Sequence, residues 1–313
     1  MHLIIQIPCL NEEGTLAITL DALPRHIEGV SKIEILIVDD GSTDGTVRVA
    51  KEWGVHHVVS HPQNQGLAQA FKTGLQTCLK LGADVIVNTD ADNQYNADDI
   101  GKLIRPILDG QAEFVIGARP ISETEHFSPT KKLLQKIGSG IVRMASQTTV
   151  ADAPSGFRAL SRNAAMRMNV FTPYTYTLET IIQAGIKNMR IVNVPVRTNR
   201  DLRPSRLVSS IPAYVRRSMV TIFRVAVIYR PLRFFALIGG VLFLTGVLIG
   251  VRFLFYFMTG EGDGHIQSLI LAAVLMLIGF NAGTLGIVSD LISVNRKLLE
   301  EIQGYLREER YKR

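Results

Sequence analysis

The sequence predicts an α/β domain, with a mostly parallel sheet between layers of helices, followed by amphipathic interface helices and two transmembrane helices. Short apolar runs alternate with helix-length amphipathic segments through residues 1–120, joined by connections of a few residues. This alternation is typical of a parallel sheet whose crossovers are helices. Two long apolar runs without Asp, Glu, Lys or Arg follow residue 230. Each run approaches or exceeds the roughly 20 residues that cross a bilayer.

Five strands are predicted from the apolar runs, at residues 2–7, 33–38, 58–59, 84–89 and 114–117. The second run is almost continuously apolar, which indicates burial on both faces of a parallel sheet. The intervening helices are predicted at residues 16–23, 45–53, 64–79 and 97–108. Asn11, Asp44 and Asn96 precede three of these helices, and we expect them to act as N-caps because their side chains can accept hydrogen bonds from first-turn amides.

Polar and charged side chains follow the ends of the predicted strands. Asp90 and Asp92 come directly after the fourth strand, and alternate side chains of an extended chain point the same way. Ligands of open parallel sheets bind beyond the carboxyl ends of the strands. We therefore expect one site that collects Pro8, Asn11, Asp39, Asp40, Asp90, Asp92 and Arg119.

The paired acids suit a divalent cation. Two nearby carboxylates raise each other's pKa unless a positive charge lies between them, and Mg²⁺ prefers carboxylate and phosphate oxygens. A metal held by Asp90 and Asp92 could stabilise a departing diphosphate, while Asp39 and Asp40 could accept hydrogen bonds from a nucleobase or ribose. The alternative for both pairs is an acidic, solvated turn. No phosphate-binding P-loop is present, nor a Gly-x-Gly-x-x-Gly after the first strand, which favours a nucleotide-sugar donor over phosphoryl transfer.

Five motifs occur in a fixed order: Ile7-Pro8-x-x-Asn11-Glu12, Asp39-Asp40-Gly41-Ser42-x-Asp44, Asn64-x-Gly66-x-Ala68, Asp90-x-Asp92-x-Gln94 and Ser155-Gly156-Phe157-Arg158. With them, residues 1–210 resemble the family 2 inverting glycosyltransferases of the GT-A fold. The likeness is greatest to the polyprenyl-phosphate sugar synthases, such as dolichol-phosphate-mannose synthase, and the C-terminal spans match their membrane-anchored bacterial branch.

The resemblance implies an activity and a site. The activity is metal-dependent (Mg²⁺ or Mn²⁺) inverting transfer of a sugar from a UDP- or GDP-linked donor to a polyprenyl phosphate. The nucleoside would be held by Pro8, Asn11, Glu12, Asp39 and Asp40, and the metal by Asp90, Asp92 and Gln94. The other implied catalytic residues are Arg119, near the phosphates, and Asp152 and Arg158, flanking a segment over the sugar and acceptor. A basic loop over the diphosphate would contain Arg200, Ser205 and Arg206, although Arg203 or Pro204 replaces its usual glycine.

The acceptor side calls for cations and not for a general base. A lipid monophosphate has a second pKa near 6, so it is largely dianionic at neutral pH and already nucleophilic. Two basic amphipathic segments, 131–144 and 206–224, suit the membrane interface, the alternative being core helices with a solvated basic face. Candidate residues for the acceptor phosphate are Lys132, Lys136 and Ser139.

Flanking charges predict the topology. Arginines and lysines precede the run 234–251 and follow the run 266–289, whereas the loop 259–265 has neither. The positive-inside rule therefore places both ends in the cytoplasm, with a multi-pass anchor in the plasma membrane. The predicted domains are a catalytic domain at 1–206, interface helices at 207–231, two spans with an external loop 259–265 at 232–291, and a charged cytoplasmic helix at 292–313.

Two other functions fit these motifs less well. A processive polysaccharide synthase of the same fold would carry a Gln-x-x-Arg-Trp motif, but Trp53 is the only tryptophan and lies elsewhere. A non-catalytic nucleotide-binding membrane scaffold would not need the Asp90/Asp92 pair.

The net charge of +6 is better explained by anionic lipid headgroups than by nucleic acid. The C-terminal helix could make a homo-oligomer contact. His56, His57 and His61 have no adjacent acid and are interpreted as surface residues.

Overall fold

The structure is a computed structural model and describes residues 1–120, 139–140, 143, 146, 148–170, 176–199, 220, 227, 231–260 and 262–311. Its contacts divide the chain into two units, Met1–Ile222 with Gln303–Arg313, and Phe223–Ile302. Five predicted site residues lie outside the described residues: Lys132, Lys136, Arg200, Ser205 and Arg206. Most of the two predicted amphipathic segments also lies outside them.

The first unit contains a seven-stranded sheet in the order β3-β2-β1-β4-β6-β5-β7. The strands are β1 (His2–Cys9), β2 (Lys32–Asp39), β3 (His57–Ser60), β4 (Val85–Asn88), β5 (Phe114–Ala118), β6 (Arg158–Ser161) and β7 (Ile191–Pro195). Only β6 runs antiparallel to its neighbours β4 and β5. The predicted mostly parallel α/β class and all five predicted strands are confirmed. The sixth and seventh strands were not predicted, because their polar and Pro residues interrupt any apolar run.

Helices pack on both faces of this sheet. They are α1 (Leu16–Ala22), α2 (Thr46–Trp53), α3 (Leu67–Lys80), α4 (Ile100–Leu108, after a 3₁₀ turn at Ala97–Asp99), α5 (Arg162–Arg167) and α6 (Thr177–Ile186). Alternate β1 residues, such as Ile5 and Ile7, join a buried cluster with α1 and α4. On the opposite face, Gly74 of α3 packs directly on the Gln6 side chain, which a Cβ at this position would displace.

The predicted N-caps fare differently. The Asn96 side chain accepts a hydrogen bond from the Asp98 amide and caps the 3₁₀ turn before α4, as expected. The prediction for Asn11 is wrong, because α1 begins after Thr15 and Asn11 adopts a left-handed conformation at φ 56° in the preceding loop. For α2, the N-cap residue is Gly45, although the Asp44 carboxylate accepts a hydrogen bond from the Thr46 amide.

The second unit contains two long apolar helices, α7 (Pro231–Met258) and part of α8 (Ile266–Arg310). Both are long and apolar enough to cross a membrane, and only 11% and 17% of their apolar windows are buried, unlike core helices of a soluble protein. Glycines let the two backbones meet: a Cβ at Gly279 would lie 2.6 Å from the Gly239 carbonyl oxygen. The helix α8 continues through residue 291, so the predicted domain boundary there does not coincide with a helix end.

Candidate active site

The two predicted metal ligands follow β4 in a tight turn. The strand order reverses between β1 and β4, which is where open α/β sheets bind ligands. The turn is held by the hydroxyl of Thr19 on α1, which donates to the Ala91 carbonyl over 2.9 Å. Within it, an Asp92 oxygen accepts a hydrogen bond from the Gln94 amide over 3.2 Å, and Asn93 adopts φ 55°. Both acids are therefore positioned by local backbone geometry at the end of a buried strand.

The Asp90 carboxylate lies against the backbone of Gly156. A Cβ at that position would lie 2.9 Å from both carboxylate oxygens and 3.1 Å from the Tyr176 hydroxyl. Burial and the neighbouring charge of Asp92 raise the pKa of Asp90 to about 7, although Arg119 and Arg158 act in the opposite direction. The carboxyl group is thus in a position where a cation would strongly favour its ionised form.

Three buried residues that the sequence did not indicate build the floor beneath Asp90. The Asn88 amide donates to the Gly156 carbonyl and to the Tyr176 hydroxyl, both over 2.9 Å. The Tyr95 hydroxyl accepts a hydrogen bond from the Gly156 amide over 3.0 Å. Asn88 and Tyr95 could have been suspected as polar residues flanking the acid motif, but Tyr176 gives no local signal because it is distant in sequence.

Arg119, after β5, is paired with Asp152. Its Nε donates to Asp152 Oδ2 over 2.7 Å and its Nη2 to Oδ1 over 3.1 Å, a two-point ion pair in which both side chains are largely buried. Its Nη1 lies 3.5 Å from Gln94 Oε1, and the guanidinium lies over the Tyr95 ring. The structure thus brings together three predicted site residues, Arg119, Asp152 and Gln94, next to the acid turn.

Arg158 is fully buried under the site. It donates to the Ser155 carbonyl over 2.7 Å, to the Ala153 carbonyl over 2.9 Å and to the Thr180 hydroxyl over 2.6 Å. Burial lowers its pKa to about 10, so the guanidinium remains charged at neutral pH. These bonds fix the loop that carries Gly156. The predicted catalytic role of Arg158 stays a prediction, and this position suits a residue that holds the loop.

The ends of β1 and β2 form the other side of the site. Pro8 is buried in register with Val38, and Asn11 Oδ1 accepts from the Thr43 amide over 2.8 Å. The Glu12 amide donates to the Thr46 hydroxyl over 2.7 Å. Asp39 is 3% exposed, and its Oδ1 accepts from the Ser42 amide over 3.0 Å. These bonds tie the loops after the two strands together.

Asp40 is engaged by its own chain on both oxygens. Oδ1 accepts from the Gln65 amide over 2.9 Å and lies 2.7 Å from His61 Nδ1, and Oδ2 accepts from the Gly66 amide over 2.8 Å. The other ring nitrogen of His61 lies 2.9 Å from the Thr73 hydroxyl of α3. The interpretation of His61 as a surface residue is wrong, because the fold buries its side chain beside an acid that is distant in sequence.

Two further predicted elements border the site. Ser139 is buried, and its hydroxyl accepts from the Ala153 amide over 3.3 Å, next to Asp152. The segment before the predicted basic loop pairs with the acid turn, since the Asn199 amide donates to the Gln94 carbonyl over 2.8 Å. Thus Asn199, at the end of this described segment, lies directly beside the turn that carries the candidate metal ligands.

The donor set at the acid turn fits a hard divalent cation. Among the described residues, no group of three or more His, Cys, Asp and Glu side chains could hold a metal. A cation between Asp90 and Asp92 would therefore take further ligands from Gln94, water or substrate phosphate. That composition is typical of Mg²⁺, which keeps several waters and binds through one or two carboxylates plus phosphates.

The sequence profile described as Glycosyl transferase family 2 matches residues 4–168. That range contains most of β1 and all of β2 to β6, and therefore both acid pairs, Arg119 and the Gly156 loop. Over 214 residues the chain is 32% identical to a UDP-N-acetylglucosamine–dolichyl-phosphate N-acetylglucosaminyltransferase of Methanococcus voltae, covering 61% of this chain and 83% of that protein. Over 219 residues it is 27% identical to an undecaprenyl-phosphate mannosyltransferase of Micrococcus luteus, covering 66% and 88%.

A solved structure shares the fold. Glucosyl-3-phosphoglycerate synthase from Mycobacterium tuberculosis, in complex with Mn²⁺, UDP and glucosyl-3-phosphoglycerate, matches with a TM-score of 0.57. The sequence identity is 21%, and the match covers 72% of this chain and 79% of that one. The likeness confirms the fold class predicted from the sequence.

Proposed function

The chain belongs to glycosyl transferase family 2, and we propose that it transfers a sugar, with inversion, from a nucleotide-diphosphate sugar to a polyprenyl phosphate. The observation that carries this proposal is the pair Asp90 and Asp92 at the carboxyl end of β4, beside the Arg119–Asp152 ion pair. The acceptor class is supported by the names of the two relatives, which specify dolichyl phosphate and undecaprenyl phosphate.

Asp90, Asp92 and Gln94 are the residues that would hold the divalent cation, Mg²⁺ or Mn²⁺. The Mn²⁺ and UDP in the structural neighbour support this choice. When bound, the cation would neutralise the charge that develops on the departing diphosphate. Arg119 approaches Gln94 and would place a second positive charge near the same phosphates, already oriented by Asp152.

The nucleoside would bind against the ends of β1 and β2. Asp39 is the better candidate for contacting it, because its Oδ2 accepts no hydrogen bond from a described residue. Asp40 would shape the pocket indirectly, since both of its oxygens hold the loop at Gln65 and Gly66. The choice between UDP and GDP depends on contacts of the base, and a single polar contact can reverse such a preference.

The acceptor phosphate would attack the sugar carbon as a dianion, without a protein base. Its second pKa near 6 leaves it ionised at neutral pH. The protein then has to hold two negatively charged substrates together, which calls for cations. Lys132, Lys136, Arg200 and Arg206 remain the predicted residues for this task. Ser139 would support the loop that carries Asp152, because its hydroxyl accepts a hydrogen bond from the Ala153 amide.

We further propose a multi-pass anchor with the catalytic domain at the cytoplasmic face. The two candidate spans and the positive charges that flank them support this orientation. In this arrangement residues 1–206 are catalytic, residues 207–231 lie at the interface and the loop 259–265 is external. A polyprenyl phosphate held in the same membrane could then present its headgroup to the basic segments.

The decisive experiment measures sugar transfer by the purified full-length protein in lipid nanodiscs. Short-chain polyprenyl phosphate is offered with UDP-GlcNAc, UDP-Glc, UDP-Gal or GDP-Man, with Mg²⁺, Mn²⁺ or EDTA. We expect one donor to give a lipid-linked sugar of inverted anomeric configuration and EDTA to abolish its formation. Asp92→Asn should reduce turnover by at least about 100-fold, the scale of losing one stabiliser of transition-state charge.

The matched control is Asp98→Asn, which makes the same chemical change at an exposed residue six positions away in the sequence. It should retain near wild-type turnover. Binding of a nucleotide sugar without turnover on any donor would replace the proposal with a nucleotide-binding scaffold. Full activity of the Asp92→Asn variant, or of the wild type in EDTA, would contradict the proposed role of the metal.

A further inference from the structure

A cavity lies away from the candidate active site, in the first unit of the structure. It has a volume of about 340 Å³, at the small end of the range for ligand pockets. It is lined by Lys72 and Gln76 of α3, Asn169 and Val170 after α5, and Gln303, Leu306, Arg307 and Arg310 of α8. None of these residues belongs to the predicted catalytic or donor site.

The C-terminal end of α8 forms one side of this cavity and is held there by specific hydrogen bonds. Arg307 Nη1 donates to the Met166 and Met168 carbonyls over 3.0 and 2.9 Å, and Nη2 donates to Asn169 Oδ1 over 2.7 Å. The Arg162 guanidinium also donates to the Tyr311 carbonyl. Asn169 is in turn hydrogen-bonded through its backbone to the Gln183 side chain of α6. The wall that carries Arg307 and Arg310, the two arginines of the described lining, is therefore fixed in place.

The charge of the lining is one-sided. Among the described residues that line the cavity, three side chains are cations, three are amides and none is an Asp or Glu. Lys72 is half-buried, and neither its side chain nor that of Arg310 has a hydrogen bond or ion pair with a described residue. An anion between these cations would gain charge-assisted hydrogen bonds from them.

We propose that this cavity is a second ligand site, which binds a phosphate-bearing anion between α3 and the C-terminal end of α8. Lys72 and Arg310 would contact the anion directly, the amides of Gln76 and Gln303 would complete its hydrogen bonds, and Arg307 would position the wall. Occupation would hold the end of α8 on the catalytic domain. The anion would come either from a soluble phosphate compound or from a lipid headgroup, which share this chemistry.

The test compares two charge-matched double variants of the full-length protein. Lys72→Gln with Arg310→Gln removes the two cavity cations that have no hydrogen bond or ion pair with a described residue. Lys51→Gln with Lys80→Gln removes the same charge from exposed positions on α2 and α3. Inorganic pyrophosphate is titrated by calorimetry in EDTA, on the wild type and on Asp92→Asn. Thermal unfolding is recorded in nanodiscs of phosphatidylcholine alone and with phosphatidylglycerol.

If the ligand is soluble, we expect saturable pyrophosphate binding that Asp92→Asn leaves unchanged. The cavity variant should weaken this binding at least about tenfold, the effect of losing one charged contact. A headgroup predicts no pyrophosphate binding but a higher Tm in anionic nanodiscs, lost in the cavity variant and kept in the control. The proposal is overturned if neither response occurs, or if both double variants lose the response equally. Since no catalytic residue is changed in either double variant, failure here leaves the transferase proposal untouched.

Discussion

At the scale of single residues, the site depends on how closely backbone and carboxylate approach. The motif Ser155-Gly156-Phe157-Arg158 is visible in the sequence, but its meaning is not. The structure shows that Gly156 faces Asp90, while Arg158 fixes the loop from below. The glycine is thus explained by contact and not by φ, because any side chain there would displace the Asp90 carboxylate or the Tyr176 hydroxyl.

This contact gives the first prediction. Gly156→Ala should lower turnover at least about tenfold and raise the Mn²⁺ concentration for half-maximal rate, because a shift of about 1 Å in a ligand position is costly for catalysis. The measurement is turnover against Mn²⁺ concentration at saturating donor. Gly101→Ala on α4 is the control, since its Cβ would only reach ordinary contact with Ile27 at 3.8 Å. Equal kinetics for the two variants would contradict the role of Gly156.

The raised pKa of Asp90 gives the second prediction. Burial and the Asp92 charge raise this pKa to about 7, and a cation needs the carboxylate form, so protons and metal compete below that pH. The apparent Mn²⁺ affinity should fall about tenfold per pH unit below 7 and level off above it. Calorimetry from pH 5.5 to 8 measures the affinity and the proton released.

Without metal, the pH dependence of folding stability has the opposite sign to that of the metal affinity. A carboxyl group whose pKa in the folded protein exceeds its value of about 4 in the unfolded chain binds its proton more tightly in the folded state. The Tm in EDTA should therefore fall as the pH rises from about 4 to about 7, and saturating Mn²⁺ should counter the fall. An affinity that does not change with pH would show that Asp90 is ionised throughout.

At the scale of elements, strand register and close packing determine where the site residues and the two apolar helices meet, more than secondary-structure propensity does. The parallel strands β1, β2 and β4 end side by side, so residues far apart in sequence reach one edge of the sheet. The two apolar helices of the second unit also meet at specific points. A Cβ at Gly279 of α8 would lie 2.6 Å from the Gly239 carbonyl and 2.7 Å from the Phe243 amide nitrogen of α7. A Cβ at Gly283, one turn further along α8, would have no atom within 4 Å.

The third prediction compares these two glycines. Gly279→Leu should destabilise the helix pair by about 1–3 kcal/mol, the cost of overpacking, because the contact is with backbone that cannot rotate away. Gly283→Leu adds the same side chain at a position where a Cβ would meet no atom within 4 Å, and it should not destabilise the helix pair. The measurement is unfolding of the full-length protein by titration with sodium dodecyl sulfate. Similar midpoints for both variants would contradict this packing.

At the scale of the whole molecule, the protein combines a glycosyltransferase domain with two candidate membrane spans. The charge pattern of the sequence predicts their orientation, with both ends in the cytoplasm. Cys9 and Cys78 are the only cysteines of the chain, and both are buried. Introduced surface cysteines can therefore be labelled against a low background.

The fourth prediction uses such labels. Gly264→Cys in the connecting loop should react with a membrane-impermeant maleimide on intact spheroplasts, because that loop is expected to be external. Lys297→Cys, at an exposed position of α8, should react only after permeabilisation. The reverse pattern would place the catalytic domain outside and overturn the proposed topology.

The sequence by itself determined the fold class, the five strands of clear apolar pattern, the long apolar helices and the acid pair of the site. These depend on local periodicity, strand-end positions and length, which a linear pattern records. Only the tertiary structure decided that β6 inserts antiparallel between β4 and β5, that His61 pairs with Asp40, and that Asn88, Tyr95 and Tyr176 support the site. Each of these depends on contacts between residues distant in sequence, and such contacts leave no periodic signal.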